Sequence, residues 1–259
     1  MRVITRKGTF LGVIGCRPPH ILEPEERKRV LDVKEMFLDV GVKTGFDVRA
    51  KLGIRIGDPI VPDAQFAVMG NPDLYLAKAF DNRMACALIV DILRGLKGKK
   101  HPNTVIACAS VQEEVGLRGA HTLAHVVEPD VVFALDTCVA MDVPPDGLST
   151  HEKIGGGTGI LVVDGGMIPN TKLRNIVIDT AERKKLPYHL TALAGGSTDA
   201  TRVQANRGGV PALALGPAVR YIHSHNSVMS RKDYDSTVKL MIEVIMQLNQ
   251  KTVTSLANL

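Results

Sequence analysis

The stretch that decides the fold runs from Leu74 to Gly98 and reads LYLAKAFDNRMACALIVDILRGLKG. Its first part, LYLAKAF, has the short apolar character of a β-strand. The rest predicts a helix, because apolar residues recur at helical spacing and Gly98 is a suitable C-terminal stop. The apolar stripe consists of Met84, Leu88, Ile92 and Leu96. A strand that leads directly into a helix is typical of an α/β layered domain.

The same alternation continues to the C-terminus. Strands are predicted in TVIACASV (104–111), DVVFALD (130–136), YHLTALA (188–194) and PALALG (211–216). Helices are predicted in RGAHTLAHVVE (118–128), NTKLRNIVIDTAERKK (170–185), TDATRVQANRGG (198–209) and RKDYDSTVKLMIEVIMQLNQ (231–250). The earlier part has short β signals instead, such as a strand, a Lys-Gly turn and a second strand in RVITRKGTFLGVIG. We therefore predict a β-barrel-like module at 1–75 and an α/β domain at 76–259.

Composition argues against several classes of partner. Trp is absent and aromatic residues make up 4% of the chain, so stacking platforms for single-stranded nucleic acid are not expected. The formal net charge of +5 is spread along the chain, which is typical of a solvated surface. No apolar run reaches membrane-spanning length, and the N-terminus lacks the apolar core of a signal peptide. We expect a cytoplasmic protein with no nucleic-acid or membrane partner.

The cysteines give no sign of a metal knuckle or a redox motif. The chain has four of them, widely spaced and with no C-x-x-C pair: Cys16, Cys86, Cys108 and Cys138. Their apolar surroundings predict buried free thiols in a reducing compartment.

Acidic residues and a histidine stand where predicted strands end. They are Asp81 after LYLAKAF, Glu113 and Glu114 after TVIACASVQ, Asp136 at the end of DVVFALD, and His223 beyond PALALGP. Sites in open α/β sheets lie outside the carboxyl ends of strands, so these side chains are expected to meet. Carboxylate and imidazole ligands suit Zn²⁺ or a similar divalent ion. Successive residues of an extended chain point opposite ways, so one glutamate can bind metal while its neighbour acts as general base.

Each of these residues also has a purely structural interpretation, which the pattern leaves open. Asp81 is placed to cap the helix that follows it. Asp136 could be a turn residue at a strand end. The adjacent glutamates could belong to solvated surface, and His223 could be a structural histidine.

Five motifs, in order, closely resemble the M42 family of metallo-aminopeptidases: KAFDNRMACALIVDIL, VQEEVGLRGA, FALD, GGSTDA and RYIHS. This family contains dinuclear, often tetrahedral (TET-type) peptidases, including glutamyl aminopeptidases, and some members were labelled endoglucanases. The resemblance extends through nearly the whole chain, including GVIGCRPPH and FLDVGVKT. It implies a zinc-peptidase-like layered α/β catalytic domain and a small β-barrel dimerisation domain. It also implies homo-oligomers, either dimers or dimers assembled into a dodecamer.

The resemblance further implies a role for each motif residue. Two divalent metal ions per subunit, Zn or Co, would be bridged by Asp81. One ion would also take Glu114 and His223, and the other Asp136 and a histidine from an N-terminal His-x-Asp motif. Glu113 would be the catalytic general base. Gly196, Ser197 and Asp199 would line the peptide-binding cleft, although Asp199 could also be a helix N-cap.

This chain departs from the family pattern in three ways. Ser197 replaces a third glycine, and His225 stands where a proline often follows YIHS and could compete for or adjust the metal. Family members also carry several dozen residues before the region where this chain starts, with the first strands of the catalytic sheet and the His-x-Asp motif. None of the eight histidines here is followed two positions later by Asp. The comparison therefore implies missing N-terminal strands and a second metal site without its histidine.

Three functional hypotheses follow. The favoured one is a metal-dependent aminopeptidase that removes N-terminal residues from peptides, shortened by a mis-assigned start or by truncation. The alternative is a shortened, weakly active or inactive M42-like subunit with an assembly role, since a site with one metal would hydrolyse poorly. The least favoured is a glycan hydrolase that uses Glu113 and another carboxylate. The absence of Trp and the histidine among the motifs argue against that third hypothesis.

Overall fold

The computed structural model describes residues 1–144 and 150–257. Its contacts divide the chain into two compact units, Met1–Ala64 and Gln65–Leu259. Residues 65–75, which the sequence pattern places in the first module, contribute β6 (Ala67–Val68) and part of β7 (Leu74–Ala77) to the larger unit. They do so because β6 pairs with β7. The assignment of the first module to dimerisation stays a prediction.

The first unit is built from short strands. Its strands are β1 (Arg2–Thr5), β2 (Gly8–Leu11), β3 (Val13–Gly15), β4 (Phe37–Asp39) and β5 (Ile60–Val61). β1 lies between β2 and β5, and β3 pairs with β4. The predicted pair of strands is confirmed, but the turn is formed by Arg6 and Lys7 and not by Lys7 and Gly8, since Gly8 already pairs with Thr5 as the first residue of β2. Its helical segments are Pro19–Ile21, Glu26–Lys28, Val33–Glu35, α1 (Gly45–Asp47) and Val48–Leu52.

The second unit alternates strands with helices, as the sequence predicts. Its remaining strands are β8 (Val132–Leu135), β9 (Cys138–Val139), β10 (Thr158–Asp164), β11 (Tyr188–Leu193), β12 (Ala212–Arg220) and β13 (Ser227–Ser230). Its helices are α2 (Phe80–Leu96), α3 (Arg118–Val127), α4 (Thr171–Lys184), α5 (Asp199–Gln204), α6 (Arg231–Ile245) and α7 (Gln250–Ala257).

One mixed sheet, with helices on both faces, forms the centre of this unit. Its order is β11-β10-β12-β13-β7-β6, and β8 and β9 pair in parallel with successive parts of β12. Side chains alternate across β12, so Leu213 and Leu215 join the core of α2, α4 and α6. Ala212 and Ala214 face the opposite way, towards Ala200 of α5, and α5 packs against α3. This arrangement confirms the predicted layered α/β fold.

Local sequence signals explain the helix positions. The predicted apolar stripe of α2 is buried, and Gly98 after its end has a φ of +79°, which favours glycine. The Asn170 side chain accepts a hydrogen bond from the Leu173 amide and so caps α4. No helix within the described ranges combines the length and apolar character needed to cross a bilayer.

Two sequence-based expectations are wrong. Residues 104–111 form no strand, because a strand needs a hydrogen-bonded partner and no strand in the described part of the chain pairs with them. Of the cysteines, only Cys138 is buried, whereas Cys16, Cys86 and Cys108 are exposed free thiols. Apolar neighbours in sequence therefore did not place those three thiols in the core.

Candidate active site

Asp81 lies between β7 and the regular part of α2. Its backbone is not helical, with a ψ of 103°. The neighbouring Asn82 caps the helix instead, since its Oδ1 accepts a hydrogen bond from the Ala85 amide at 3.3 Å. The Asn82 amide also donates to the Leu135 carbonyl at 3.0 Å, next to Asp136. The helix-cap interpretation of Asp81 is therefore wrong, and its carboxylate is available for other contacts.

Asp136 directly follows β8 at the sheet's centre. Gly216 of β12 passes so close that a Cβ there would lie 1.8 Å from the Asp136 carbonyl oxygen. The Thr137 amide donates to Asp136 Oδ1 at 2.7 Å. Burial, and then the charges of Asp81, Glu113 and Asp199, raise the pKa of Asp136 to about 8. Glycine at position 216 is thus what allows strand pairing beside this carboxylate.

Glu113 and Glu114 lie in a tight loop before α3 rather than in extended chain, so the expected alternation of an extended strand does not apply. The Glu113 carbonyl accepts hydrogen bonds from the Gly116 and Leu117 amides at 3.0 and 2.8 Å. Gly119 allows α3 to approach this loop, because a Cβ there would lie 2.4 Å from the Val111 nitrogen. The loop leaves Glu113 half-buried and Glu114 exposed.

His223 lies in the turn that joins β12 to β13. Its φ is +58°, in the left-handed region that non-glycine residues seldom adopt. Its side chain is 64% exposed. His223 is therefore not a histidine packed in the core.

Asp81, Glu114 and His223 converge on one point. Their candidate ligand atoms all lie within 4.8 Å of one another. His223 Nε2 is 2.9 Å from Asp81 Oδ2 and 3.6 Å from Glu114 Oε2. Two carboxylates and one imidazole are a donor set that fits Zn²⁺ or a similar divalent ion. We call these three residues the ligand triad.

Three further carboxylates form an acidic group beside the triad: Glu113, Asp136 and Asp199. Burial, and then the charges of Asp199, Glu114 and Asp81, raise the pKa of Glu113 to about 7, although His223 opposes this. Asp136 feels the charges of Glu113 and Asp199. Such mutual repulsion is what a bound cation would relieve, so the acidic group also fits a metal. Asp136 and Glu113 nevertheless lie outside the triad.

The loop between β11 and α5 leads to Asp199, the first residue of α5, whose charge acts on Glu113. The Ser110 hydroxyl donates to one Asp199 carboxylate oxygen, and the other oxygen is buried without a hydrogen-bond partner in the described structure. Burial raises the pKa of Asp199. Thr198, not Asp199, precedes α5 as its cap residue, so the N-cap interpretation of Asp199 is wrong. The Gly196 carbonyl accepts from the Gly165 amide at 2.7 Å, which fixes the loop beside Ser197.

Sequence reasoning missed two residues of this site. Ser110 holds Asp199, and Asn82 caps α2 and binds the end of β8. Asn82 directly follows Asp81, and Ser110 is three positions before Glu113, so their signal was their proximity to the predicted ligands. His225 is outside the triad.

Comparisons with known proteins identify the family to which this chain is similar. The family model for M42 glutamyl aminopeptidases matches residues 1–240. A putative aminopeptidase, FrvX, of Escherichia coli K12 is 38% identical over 239 residues, which cover 92% of this chain and 66% of that protein. The chain thus spans about two thirds of the length of this relative.

Solved structures agree with the sequence match. A TET aminopeptidase from Thaumarchaeota archaeon SCGC AB-539-E09 superposes with a TM-score of 0.94 at 41% identity, covering 98% of this chain and 72% of its own. The Pyrococcus horikoshii TET1 peptidase can assemble into a tetrahedron or a large octahedral shell. It superposes with a TM-score of 0.80 at 29% identity, covering 95% of this chain and 71% of its own. From the matched family model, these relatives and the fold, we conclude that this chain belongs to the M42 family of peptidases.

Proposed function

We propose that the protein is a metal-dependent aminopeptidase that removes N-terminal residues from peptides. The observation that carries this proposal is the convergence of Asp81, Glu114 and His223 within 4.8 Å, with Glu113 in the same loop as Glu114. Family membership supports the reaction, because the family model and the similar proteins carry aminopeptidase names.

In this proposal the ligand triad holds one divalent ion, Zn or Co. Asp81 and Asp136 would together hold a second ion. Bound metal supplies Lewis-acid polarisation of a carbonyl and lowers the pKa of water. Both the triad and the acidic group carry excess negative charge in the absence of a cation, which supports the assignment.

Glu113 would act as general base. A pKa of about 7 suits a carboxylate that must accept a proton near neutral pH and later return it to the leaving amine. Its Oε atoms would take the proton from the attacking water. Gly196, Ser197 and Asp199 would line the cleft that receives the peptide, because their loop brings Asp199 near Glu113.

A homo-oligomer is the form we propose for the working protein. The first unit leaves large apolar side chains exposed, among them Val13 at 62%, Phe37 at 58% and Phe46 at 80%. Exposed apolar side chains in this number support the proposal of an interface with another subunit. The assembly of the similar Pyrococcus horikoshii TET1 peptidase supports the same proposal.

One observation favours a second candidate, a weakly active subunit with an assembly role. Asp136 lies outside the triad, and the described residues contain one group of three or more metal-binding side chains. A subunit that binds a single ion would lose the second Lewis acid and turn over slowly. No feature of residues 1–144 and 150–257 favours the glycan-hydrolase hypothesis.

The test is hydrolysis of aminoacyl p-nitroanilides by the purified chain, with Leu, Glu and Lys as the aminoacyl residue. We expect cleavage with added Co²⁺ or Zn²⁺, its loss with a chelator, and no cleavage of the N-acetylated compounds. Two bound ions per chain with full turnover would rule out the second candidate. Chelator-resistant hydrolysis of a cellulose-type substrate, without aminopeptidase activity, would overturn the proposal.

A further inference from the structure

A two-point ion pair lies at the end of β12. Arg220 is the last residue of that strand, and Asp142 follows β9, which pairs with β12. Arg220 Nε donates to Asp142 Oδ1 at 2.9 Å, and Nη2 donates to Oδ2 at 2.5 Å. The two side chains are 28% and 13% exposed. Such a fork fixes both the distance and the plane of the two groups, which a single contact does not.

The turn that begins next carries His223. Tyr221 and His223 both have left-handed backbone, with φ of 60° and 58°, so the turn needs support from its surroundings. Ser227 Oγ donates to the Tyr221 carbonyl at 3.3 Å, and Ser224 Oγ lies 2.9 Å from the same oxygen. These two contacts tie the middle of the turn and the start of β13 to the Tyr221 carbonyl.

Because His223 is exposed, the backbone of the turn determines the position of its imidazole. An imidazole that is 64% exposed is not held in place by packing. Its position relative to Asp81 and Glu114 therefore depends on where the chain leaves β12. The Arg220–Asp142 pair ties the end of β12 to the segment after β9, which in turn follows Asp136.

We propose that Asp142 and Arg220 are positioning residues that place His223 in the ligand triad. The inference rests on the proposed metal-dependent function, since it concerns the same site. Asp142 and Arg220 are not members of the triad. They act through His223, as groups that orient a metal ligand do in other proteins.

The experiment is a Co²⁺ titration of the full chain after chelator treatment, with the binding measured by calorimetry. The temperature is one at which circular dichroism shows every variant folded. We expect Asp142→Asn and Arg220→Lys each to weaken Co²⁺ binding about 10-fold. Arg220→Lys keeps the charge but loses the fork, so it tests geometry. The matched control is Glu243→Gln, which removes the Lys184–Glu243 pair between α4 and α6 and should leave the affinity unchanged.

A double-mutant cycle with His223→Ala separates positioning from general destabilisation. If the pair acts through His223, Asp142→Asn should have no further effect on Co²⁺ affinity in the His223→Ala background. An equal 10-fold loss in that background, or wild-type affinity in both single variants, would overturn the inference alone. Equal Co²⁺ binding by the wild type and His223→Ala would overturn the proposed metal site and the inference together. If Asp142→Asn does not fold, Arg220→Lys completes the same cycle.

Discussion

The two sides of the candidate site surround their carboxylates differently. In the ligand triad, Asp81 and Glu114 face an imidazole, with His223 Nε2 at 2.9 and 3.6 Å. In the acidic group, burial is the largest cost of ionising Glu113, Asp136 and Asp199. Glu113 and Asp136 also feel the charges of neighbouring carboxylates. The pKa of Glu113 rises to about 7 and that of Asp136 to about 8.

The difference shows which carboxylates most need a bound cation to offset the cost of their charge. Partly buried acids that repel one another lower the stability of the chain without metal, so the fold holds them at a cost. Apolar or amide side chains at those positions would make the folded chain more stable. The acidic group is therefore the part that most needs a bound cation, although the triad is the part that has the better ligand geometry.

The largest expected effect is on the triad. His223→Ala should weaken Co²⁺ binding by at least about 100-fold, because it removes a direct ligand and not only a group that orients one. His225→Ala is the matched control, since His225 is an exposed histidine two positions away and outside the triad. It should change the affinity less than about 3-fold. Equal losses in the two variants would show that the triad is not the binding site.

The next effect concerns the acidic group and has a defined pH dependence. The pKa of Asp136 is raised to about 8, so its contribution to stability is fully present below the unfolded value of about 4 and is lost as pH rises through about 8. The chelator-treated wild type should therefore lose stability between pH 5 and pH 8. Asp136→Asn should flatten this loss and be about 2 kcal/mol more stable at pH 8.

Urea unfolding of both chains at several pH values, with chelator present, measures this difference. Asn keeps the size of the side chain and can still accept the Thr137 hydrogen bond. A variant that is less stable than the wild type at pH 8 would contradict the account of the acidic group.

A smaller effect of opposite sign is expected at Asp142, which has a cationic partner. The hydrogen bond from Arg220 lowers the pKa of Asp142. Its contribution is therefore present above the unfolded value of about 4 and is lost as pH falls through the folded pKa. Asp142→Asn should cost about 1 kcal/mol at pH 7 in urea unfolding, since the pair is only partly buried. A gap that stays constant down to the lowest pH at which the chain folds would contradict the ion-pair explanation.

Within the described residues of the larger unit, the sequence predicted helices α2 to α6 and the four strands β7, β8, β11 and β12, because their burial patterns are local. The α2 stripe, for example, is buried at each predicted position. The sequence did not predict α7 or the strands β6, β9, β10 and β13. The strand predicted at 104–111 failed because apolar character reports burial but not whether a hydrogen-bonding partner lies alongside. Val105 does pack against the core, whereas Ile106 is 57% exposed.

The triad was predictable because each member follows a strand or lies in a quoted motif, whereas its supporting contacts were not. Ser110 and Asp199 are 89 positions apart, and Arg220 and Asp142 are 78 apart. Such pairs depend on sheet order and on the path of loops, which residue spacing does not encode. The loop conformation of Glu113 and Glu114 was missed for the same reason, since the tight turn depends on hydrogen bonds from the start of α3.

The central claim is that Glu113 and Glu114 are neighbours with different tasks, one moving a proton and one binding metal. The most direct measurement compares Glu113→Gln with Glu114→Gln for both aminoacyl p-nitroanilide turnover and Co²⁺ affinity. We predict that Glu113→Gln lowers kcat about 1000-fold while Co²⁺ affinity stays within about 3-fold of wild type. Glu114→Gln should lose both turnover and affinity. Near-normal turnover in Glu113→Gln, or loss of Co²⁺ binding in that variant but not in Glu114→Gln, would contradict the account.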